Sequence, residues 1–334
     1  MIRFIYTGDW HRRGTNPRNR IDDFVAAFNL KLYEIFDLAK KWDVSGIIIP
    51  GDVLDRPEVS IAVLLEFVEV LKKSPVQIFT AVGNHDIYGY NLSTYNRSSL
   101  KLLDMLVPQF HVVSDPQDVK VFTDGYNTAV EMTFTPYSAK MDLNGYGYDP
   151  EFNDGSIPID KYSKGYKIHV AHGMLLDHKP PFDRYTLIQD VQTTADMVLT
   201  GHDHTGYGVY RRADGKVFCN PGALMRLSAS VVEIERPIQV ALITVDGTDA
   251  GIELLPLTSA KPGDDVLDRS KIEAEKQRAY AMETFSALVE KKTGDRVLMD
   301  VNQIVEEIAK LEGAAPHIVK AALEVIDQQR EKVK

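Results

Sequence analysis

The chain has 334 residues, of which 44% are hydrophobic and 26% are charged, as expected for one large globular domain with an appendage. A single cysteine, Cys219, excludes an intrachain disulfide and indicates a reducing, cytoplasmic compartment. The net charge of −10 argues against indiscriminate binding to polyanions. The N-terminus lacks the pattern of a secretion signal, and no run approaches the ~18 apolar residues of a membrane helix.

The N-terminal third alternates apolar strands with amphipathic helices. Apolar runs end near residues 8, 51 and 83, and helices are predicted over 21–41 and 58–73. This order predicts a parallel βαβαβ unit. The residues expected on the buried helix faces are Phe24, Phe28, Leu32, Ile35 and Ala39 in the first helix, and Ile61, Leu64, Leu65, Val68 and Leu71 in the second.

The rest of the first 260 residues indicates mixed strands, so the domain should combine parallel and antiparallel pairs. The Asp214-Gly215 pair between two short apolar runs predicts a β-hairpin. The other expected elements are a helix over 97–106, strands over 110–113, 128–135, 240–245 and 252–257, and a loop over 144–160.

Residues 261–334 form a predicted helical extension beyond a Lys-Pro-Gly linker, and the catalytic domain is expected to span residues 1–260. The extension contains a charged helix over 268–291 and two short amphipathic helices around 313–316. Such short helices cannot bury their apolar stripes alone. They therefore dock either on the domain body or on a partner's helices.

Five apolar runs each end in side chains that bind metals. Because the carboxyl ends of such strands meet at one sheet edge, these side chains should converge. We expect no such role for the histidines outside the five motifs, which are His111, His169, His178 and His317. The motif residues are Asp9 and His11, then Asp52, then Asn84, His85 and Asp86, then His172, and finally His202 and His204.

In their order along the chain, these motifs resemble the five signature motifs of calcineurin-like metallophosphoesterases. The resemblance covers residues 9–204. It implies an α/β fold, a four-layer αββα sandwich of mixed β-sheets, here followed by the helical extension. It also implies two metal ions bridged by Asp52: the first held by Asp9, His11, Asp52 and His204, and the second by Asp52, Asn84, His172 and His202.

Carboxylate, amide and imidazole ligands suit Mn²⁺, which we expect first, with Fe or Zn²⁺ as alternatives. Two such ions can share a hydroxide that attacks phosphorus in line. The leaving group then needs a proton, and His85, which the implied ligand set does not use, is the expected general acid. We expect a carboxylate such as Asp86 to orient its ring.

Gly51 to Pro57 and Asn220 to Leu224, followed by Arg226, resemble the branch of DNA double-strand-break repair nucleases. This branch includes the nuclease subunit of SbcCD and phage recombination endonucleases. The resemblance implies a DNA substrate, an ABC-type coiled-coil ATPase that binds the C-terminal helices, and a homodimer through the N-terminal helices. The expected activity is that of a DNA exo- or endonuclease.

Two other functions remain open, a phosphodiesterase for small nucleotides or other soluble diesters and a catalytically silent scaffold. The arginines that follow the first two motifs bear on this choice. If they line the site mouth they could contact a phosphate backbone, Arg18 and Arg56 being the candidate substrate-binding residues, whereas otherwise they belong to a solvated loop. The arginines are Arg12, Arg13, Arg18, Arg20 and Arg56.

Overall fold

The computed structural model describes residues 1–149 and 165–270, and beyond them only 273, 280, 282, 305, 306, 309, 310 and 317–323. The chain divides into two compact units, Met1–Arg269 and Ser270–Lys334. The described residues of the second unit are helical. Most of the helices expected beyond 268, and the loop expected over 150–160, lie outside the described residues. The domain boundary expected at residue 260 stays a prediction.

The first unit alternates strands and α-helices up to residue 113, as expected, and among its described residues is mainly β-strand after that. The helices are α1 (Phe24–Trp42), α2 (Ile61–Leu71), α3 (Ser99–Leu106) and α4 (Val231–Glu235). The strands are β1 (Ile2–Tyr6), β2 (Gly46–Ile49), β3 (Ile78–Ala81), β4 (Phe110–Val113), β5 (Lys120–Thr123), β6 (Ala129–Thr135), β7 (Tyr166–Ala171), β8 (Leu175–Leu176), β9 (Thr186–Leu187), β10 (Met197–Thr200), β11 (Gly208–Arg211), β12 (Val217–Asn220), β13 (Gln239–Asp246) and β14 (Asp249–Pro256).

Two six-stranded mixed sheets form the framework, with strand orders β14-β13-β1-β2-β3-β4 and β11-β12-β10-β7-β6-β5. In the first sheet β1 to β4 are parallel, as predicted, and β13 pairs antiparallel with β1. In the second, β6, β7, β10 and β12 are parallel, and β11 forms the predicted hairpin with β12. The mixed α/β sandwich is therefore confirmed.

Alternation along the strands separates two hydrophobic cores. Phe4 and Tyr6 of β1 belong to a core that also contains Phe134 of β6 and Val170 of β7, so this core lies between the two sheets. Ile5 points to the opposite face and joins the core that contains the buried residues of α1 and α2. Because side chains alternate between the two faces of a strand, the first sheet packs against the helices on one face and against the second sheet on the other.

Helix α1 packs as predicted, and α2 does so in part. All five residues expected on the buried face of α1 are buried. In α2, however, Ile61 and Leu65 are 75% and 55% exposed. Phe67 is buried in their place and makes edge contacts with Trp10 and Phe28. Leu64, Val68 and Leu71 are buried as expected, so the prediction for α2 was wrong only at Ile61 and Leu65.

In the part of the chain that the structure describes, no helix has the length and apolar character needed to cross a membrane.

Two side chains for which the sequence predicts no functional role have structural roles in the second sheet. His169 is buried, and its ring nitrogens form hydrogen bonds with the hydroxyl groups of Thr133 and Thr135. Cys219, expected to be half-buried, is fully buried in β12. Both are structural residues of the second sheet.

Candidate metal centre

The structure brings together all seven predicted ligands at the carboxyl ends of five strands. Asp9, His11, Asp52 and His204 offer ligand atoms that all lie within 4.8 Å of one another, and so do Asp52, His172 and His202. Asn84 joins the second group, since its Oδ1 lies 2.9 Å from His172 Nε2. The two groups share Asp52. Two overlapping groups around one carboxylate are the arrangement expected for a pair of bridged divalent ions.

Three of these ligands have an uncommon backbone conformation. His11, Asp52 and His202 have φ values of 49°, 50° and 73°, in the left-handed region that non-glycine residues seldom adopt. Each such residue costs on the order of 1–3 kcal/mol and persists only where its surroundings enforce it. The sharp turn after each strand aims the side chain back across the sheet edge. Sequence patterns gave no sign of this strain.

Two glycines allow the motifs to approach each other. A Cβ atom on Gly201 would lie 2.2 Å from Asp9 Oδ1, and one on Gly83 would lie 2.1 Å from the backbone nitrogen of Asp52. Neither distance is possible for a real side chain. Glycine is therefore required at both positions so that one motif can pack directly on the carboxylate of another.

Buried polar atoms in the centre have no partner within the described residues. These atoms are Asp9 Oδ1, His11 Nδ1, Asp52 Oδ2 and His172 Nδ1. In addition, His11 Nε2 and His204 Nε2 face each other at 2.9 Å. Buried polar atoms are normally paired, and bound cations are one way to satisfy them. The donor set of oxygen and imidazole nitrogen fits two divalent metal ions, and thiolate is absent from it.

The protonation states of three of the four histidines in the predicted ligand set agree with this fit. Burial lowers the pKa of His202 to about 3 and of His204 to about 4, and it lowers the pKa of His11 as well. These imidazoles are therefore neutral at pH 7, which is the form that binds metals. Burial raises the pKa of Asp9 to about 7, and the nearby Asp52 carboxylate adds to this effect. His172 differs: burial lowers its pKa, but the Asp52 and Asp9 carboxylates outweigh burial and raise it to about 9, so a protonated His172 balances part of this negative charge.

His85 lies at the edge of the centre with an oriented ring. Its Nδ1 is 2.9 Å from the Asp55 carbonyl oxygen, so Nδ1 carries a proton and donates it there. Burial lowers the pKa of His85, but the Asp52 carboxylate and the Asp55 carbonyl outweigh it, and the pKa is raised overall. His85 is itself exposed. It can therefore hold a proton on Nε2 towards an incoming ligand.

Asp86 does not orient His85, contrary to the expectation from sequence. It is fully buried and accepts hydrogen bonds from the backbone N–H groups of Gly83 and Leu54. The side chain therefore ties the turn after β3 to the turn after β2. The orienting group is a backbone carbonyl, which side-chain chemistry alone could not indicate.

Two aromatic residues that sequence reasoning missed border the second ligand group. The ring of Tyr137 lies 5.9 Å from that of His202 and 6.2 Å from that of His172. Tyr90 lies 6.0 Å from Tyr137, has a φ of 57° and is 60% exposed. A strained, exposed tyrosine beside a polar centre presents a flat apolar face to any ligand that enters.

The arginines after the first motif do not behave as one group. Arg12 is fully buried beside Phe28 and Phe67, and its Nη2 lies 3.1 Å from Glu66. Arg20 is also buried. Neither lines the mouth, and neither is solvated. Arg13 lies close to Asp55, whereas Arg18 and Arg56 are exposed, Arg56 beside the same Asp55.

The model of the family described as calcineurin-like phosphoesterase matches residues 2–206, which include every predicted ligand. The chain belongs to this family. It is therefore a metal-dependent hydrolase that acts on phosphoric esters, and its two ligand groups fit two divalent ions. The presence of every predicted ligand argues against a catalytically silent scaffold.

Among solved structures, this chain is similar to a dimetal phosphatase from Danio rerio. The sequence identity is 13%, the alignment covers 78% of this chain and 99% of that chain, and the TM-score is 0.46. The phosphoesterase Yfce from E. coli has 13% identity, coverages of 78% and 96%, and a TM-score of 0.39. A putative 5'-nucleotidase from Staphylococcus aureus has 16% identity, coverages of 83% and 57%, and a TM-score of 0.48. Comparison with curated protein sequences gives no match. These likenesses are too distant to indicate a substrate.

The close approach at Gly201 generates a prediction about this phosphoesterase. Gly201→Ala places a methyl group against Asp9 Oδ1 and should displace that carboxylate. We expect Mn²⁺ affinity to fall at least about tenfold, since even indirect disturbance of metal ligands has effects of about 10–100-fold. Calorimetric titration with Mn²⁺ measures the change. Gly251→Ala, where a Cβ meets nothing within 4 Å, is the matched control. Unchanged Mn²⁺ affinity in Gly201→Ala would show that Asp9 is not a ligand.

Proposed function

We propose that this phosphoesterase is a two-metal DNA nuclease. The observation that carries the metal assignment is the pair of ligand groups that share the buried Asp52. Asp9, His11, Asp52 and His204 would hold the first ion, and Asp52, Asn84, His172 and His202 the second. Mn²⁺ is the proposed metal, because oxygen ligands and imidazoles together suit it, with Fe or Zn²⁺ as alternatives.

When bound, the two ions would supply positive charge for the developing phosphorane oxygens and would activate a water molecule. The protein contributes fixed positions. The three ligands in left-handed conformation cannot relax without disturbing the turns that hold them, so the ligand geometry is set before substrate arrives. Tyr137 and the buried second sheet exclude water from one side of the centre.

His85 is the proposed general acid. The Asp55 carbonyl fixes the proton on Nδ1, so an imidazolium at this position has its other proton on Nε2. That proton can pass to the oxygen of a leaving alkoxide, and the neutral ring that remains keeps its bond to Asp55. The backbone N–H of His85 meanwhile donates to Asp52 Oδ1 at 2.7 Å, which ties the acid to the proposed bridging ligand.

The role of His85 predicts a leaving-group effect. His85→Ala should retain both metals and lose about 10²–10⁴ in turnover of DNA, whose alkoxide leaving group needs a proton. It should lose less than about tenfold with bis-p-nitrophenyl phosphate, whose weakly basic leaving group departs without one. Steady-state rates on both substrates, with metal content measured on the same samples, test this.

His178→Ala is the control for His85→Ala, because the His178 side chain is 72% exposed and pairs only with its neighbour Asp177 among the described contacts. Loss of metal from His85→Ala would instead make His85 a ligand. The geometry allows this outcome, since His11, Asp55 and His85 also offer atoms within 4.8 Å of one another. An equal loss on both substrates would contradict the proton transfer.

Three features support DNA as the substrate. The sequence resembles repair nucleases around the second motif and at residues 220–226. Arg56, whose side chain is 66% exposed, follows the second motif and, with the exposed Arg18, is a proposed contact for the phosphate backbone. The exposed ring of Tyr90 offers a face on which a base can stack, and such stacking does not depend on the base sequence of the DNA.

The nuclease proposal predicts Mn²⁺-dependent cleavage of end-labelled single- or double-stranded DNA by the full chain. Products should disappear with chelator and in His85→Ala. Tyr90→Ala should raise the KM for DNA without changing turnover of bis-p-nitrophenyl phosphate. If the small diester is hydrolysed and DNA stays intact with and without ATPase partner, the chain is a phosphodiesterase for small nucleotides or other soluble diesters.

Two partners are proposed, an ABC-type coiled-coil ATPase and a second copy of this chain. The proposed location is the cytoplasm, with no association with a membrane. The ATPase would bind the C-terminal helices. The exposed Ile61 and Leu65 of α2 support a homodimer, because side-by-side apolar residues on a helix are suited to a helix-helix interface. Light scattering should then give twice the chain mass of 37.5 kDa, and Leu65→Glu should give the monomer. A monomeric wild type at micromolar concentration would contradict the dimer.

A further inference from the structure

A cavity of about 120 Å³ lies beside α1, away from the predicted ligands. Its walls include Arg20, Lys31, Arg226 and Lys261, together with two carboxylates, Asp22 and Asp23. A volume of this size holds about four water molecules at roughly 30 Å³ each. It therefore has room for a small polyatomic ion.

Lys31 is the unusual member of this set. It is 3% exposed, and its Nζ has two long contacts of 3.4 Å, one to the Ala27 carbonyl in the same helix and one to Met225 Sδ. An ammonium group has three hydrogens to donate. In residues 1–149 and 165–270, no carboxylate lies within 4.0 Å of it. Burial, followed by the repulsion of Arg20, lowers the pKa of Lys31 to about 7.

The neighbouring charges do not supply the missing counter-charge. Asp22 is engaged by Arg20, whose Nε and Nη2 donate to its two oxygens at 2.6 and 3.0 Å. Asp23 caps α1 by accepting from the Ala26 N–H. Arg226 donates to the carbonyls of Glu233, Lys261 and Arg236, so it is held rigidly by neutral groups and keeps two further N–H donors.

The Ser259 hydroxyl is a further polar group in the cavity wall. It lies beside the Glu34 carboxylate and helps to lower the pKa of that group. Glu34 also accepts hydrogen bonds from the Thr258 and Ser259 backbone N–H groups. The cavity thus combines a surplus of positive charge with a hydroxyl that can donate.

We propose that this cavity binds a tetrahedral oxyanion, of which inorganic phosphate is the simplest, with Lys31 and Arg226 as its counter-charges and Ser259 as a donor. Phosphate oxygens accept charge-assisted hydrogen bonds from both cations. The anion could be free phosphate or the phosphate end of a nucleotide. The cavity is too small for a whole nucleotide, so only the phosphate would enter it.

The test is calorimetric titration of the full chain with inorganic phosphate at constant ionic strength, and separately with adenosine monophosphate. The Gly201→Ala background weakens metal binding at the catalytic centre and so isolates the cavity. In this background, phosphate should still bind. Adding Lys31→Met should weaken binding at least about tenfold, as expected for loss of a charge-assisted bond. Lys40→Met, an exposed lysine on the same helix, should change nothing.

A second variant and a second measurement guard against misfolding. Lys261 lies on the outer wall of the cavity, and Lys261→Met should weaken phosphate binding about threefold without altering the fold.

Lys31→Met should also raise the Tm in phosphate-free buffer, because it removes an uncompensated buried charge. Added phosphate should raise the Tm of the wild type but not that of Lys31→Met. Phosphate affinity unchanged by Lys31→Met, or no binding in the Gly201→Ala background, would overturn the proposal while leaving the nuclease proposal untouched.

Discussion

The buried carboxylate of Asp52 is the interaction on which the rest of the centre depends. Its Oδ1 accepts the His85 N–H, and its Oδ2 lies 3.2 Å from His172 Nε2 and 3.7 Å from His11 Nε2. Its backbone carbonyl accepts from the N–H groups of Trp10 and His11. One residue therefore ties together motifs that are far apart in sequence. A charge buried this completely is tolerated only with opposite charge around it, which His172 or bound cations can supply.

The sequence predicted the strands, their order and the identity of the converging side chains, because apolar runs and ligand chemistry are local properties. It failed where three-dimensional packing decides. In α2, Phe67 is buried while Ile61 and Leu65 are exposed, and Arg12 lies in the interior beside Phe28 and Phe67. The carbonyl of Asp55, rather than the carboxylate of Asp86, orients His85. Backbone groups and ring packing leave no signature in residue type.

The loop after β12 connects the metal centre with the cavity beside α1. The N–H of Leu224 donates to the Asp9 carbonyl, and Arg236 donates to the carbonyls of Ala223 and Met225. Met225 in turn contacts Lys31. This segment has one end against the predicted ligand Asp9 and the other against the buried Lys31, so polar contacts hold it at both sides. Its rigidity helps to keep Asp9 in place, and neighbouring Gly8 packs directly on the carbonyl of Gly222.

The first strand of the chain lies in the middle of its sheet, between β13 and β2. Its pairing with β13 joins residue 2 to residue 245. During synthesis on the ribosome, β1 emerges first but cannot form this pairing until β13 has also been made. The predicted ligands likewise run from residue 9 to residue 204. The two ligand groups can therefore be completed only after residue 204 has been synthesised, long after the first of their members.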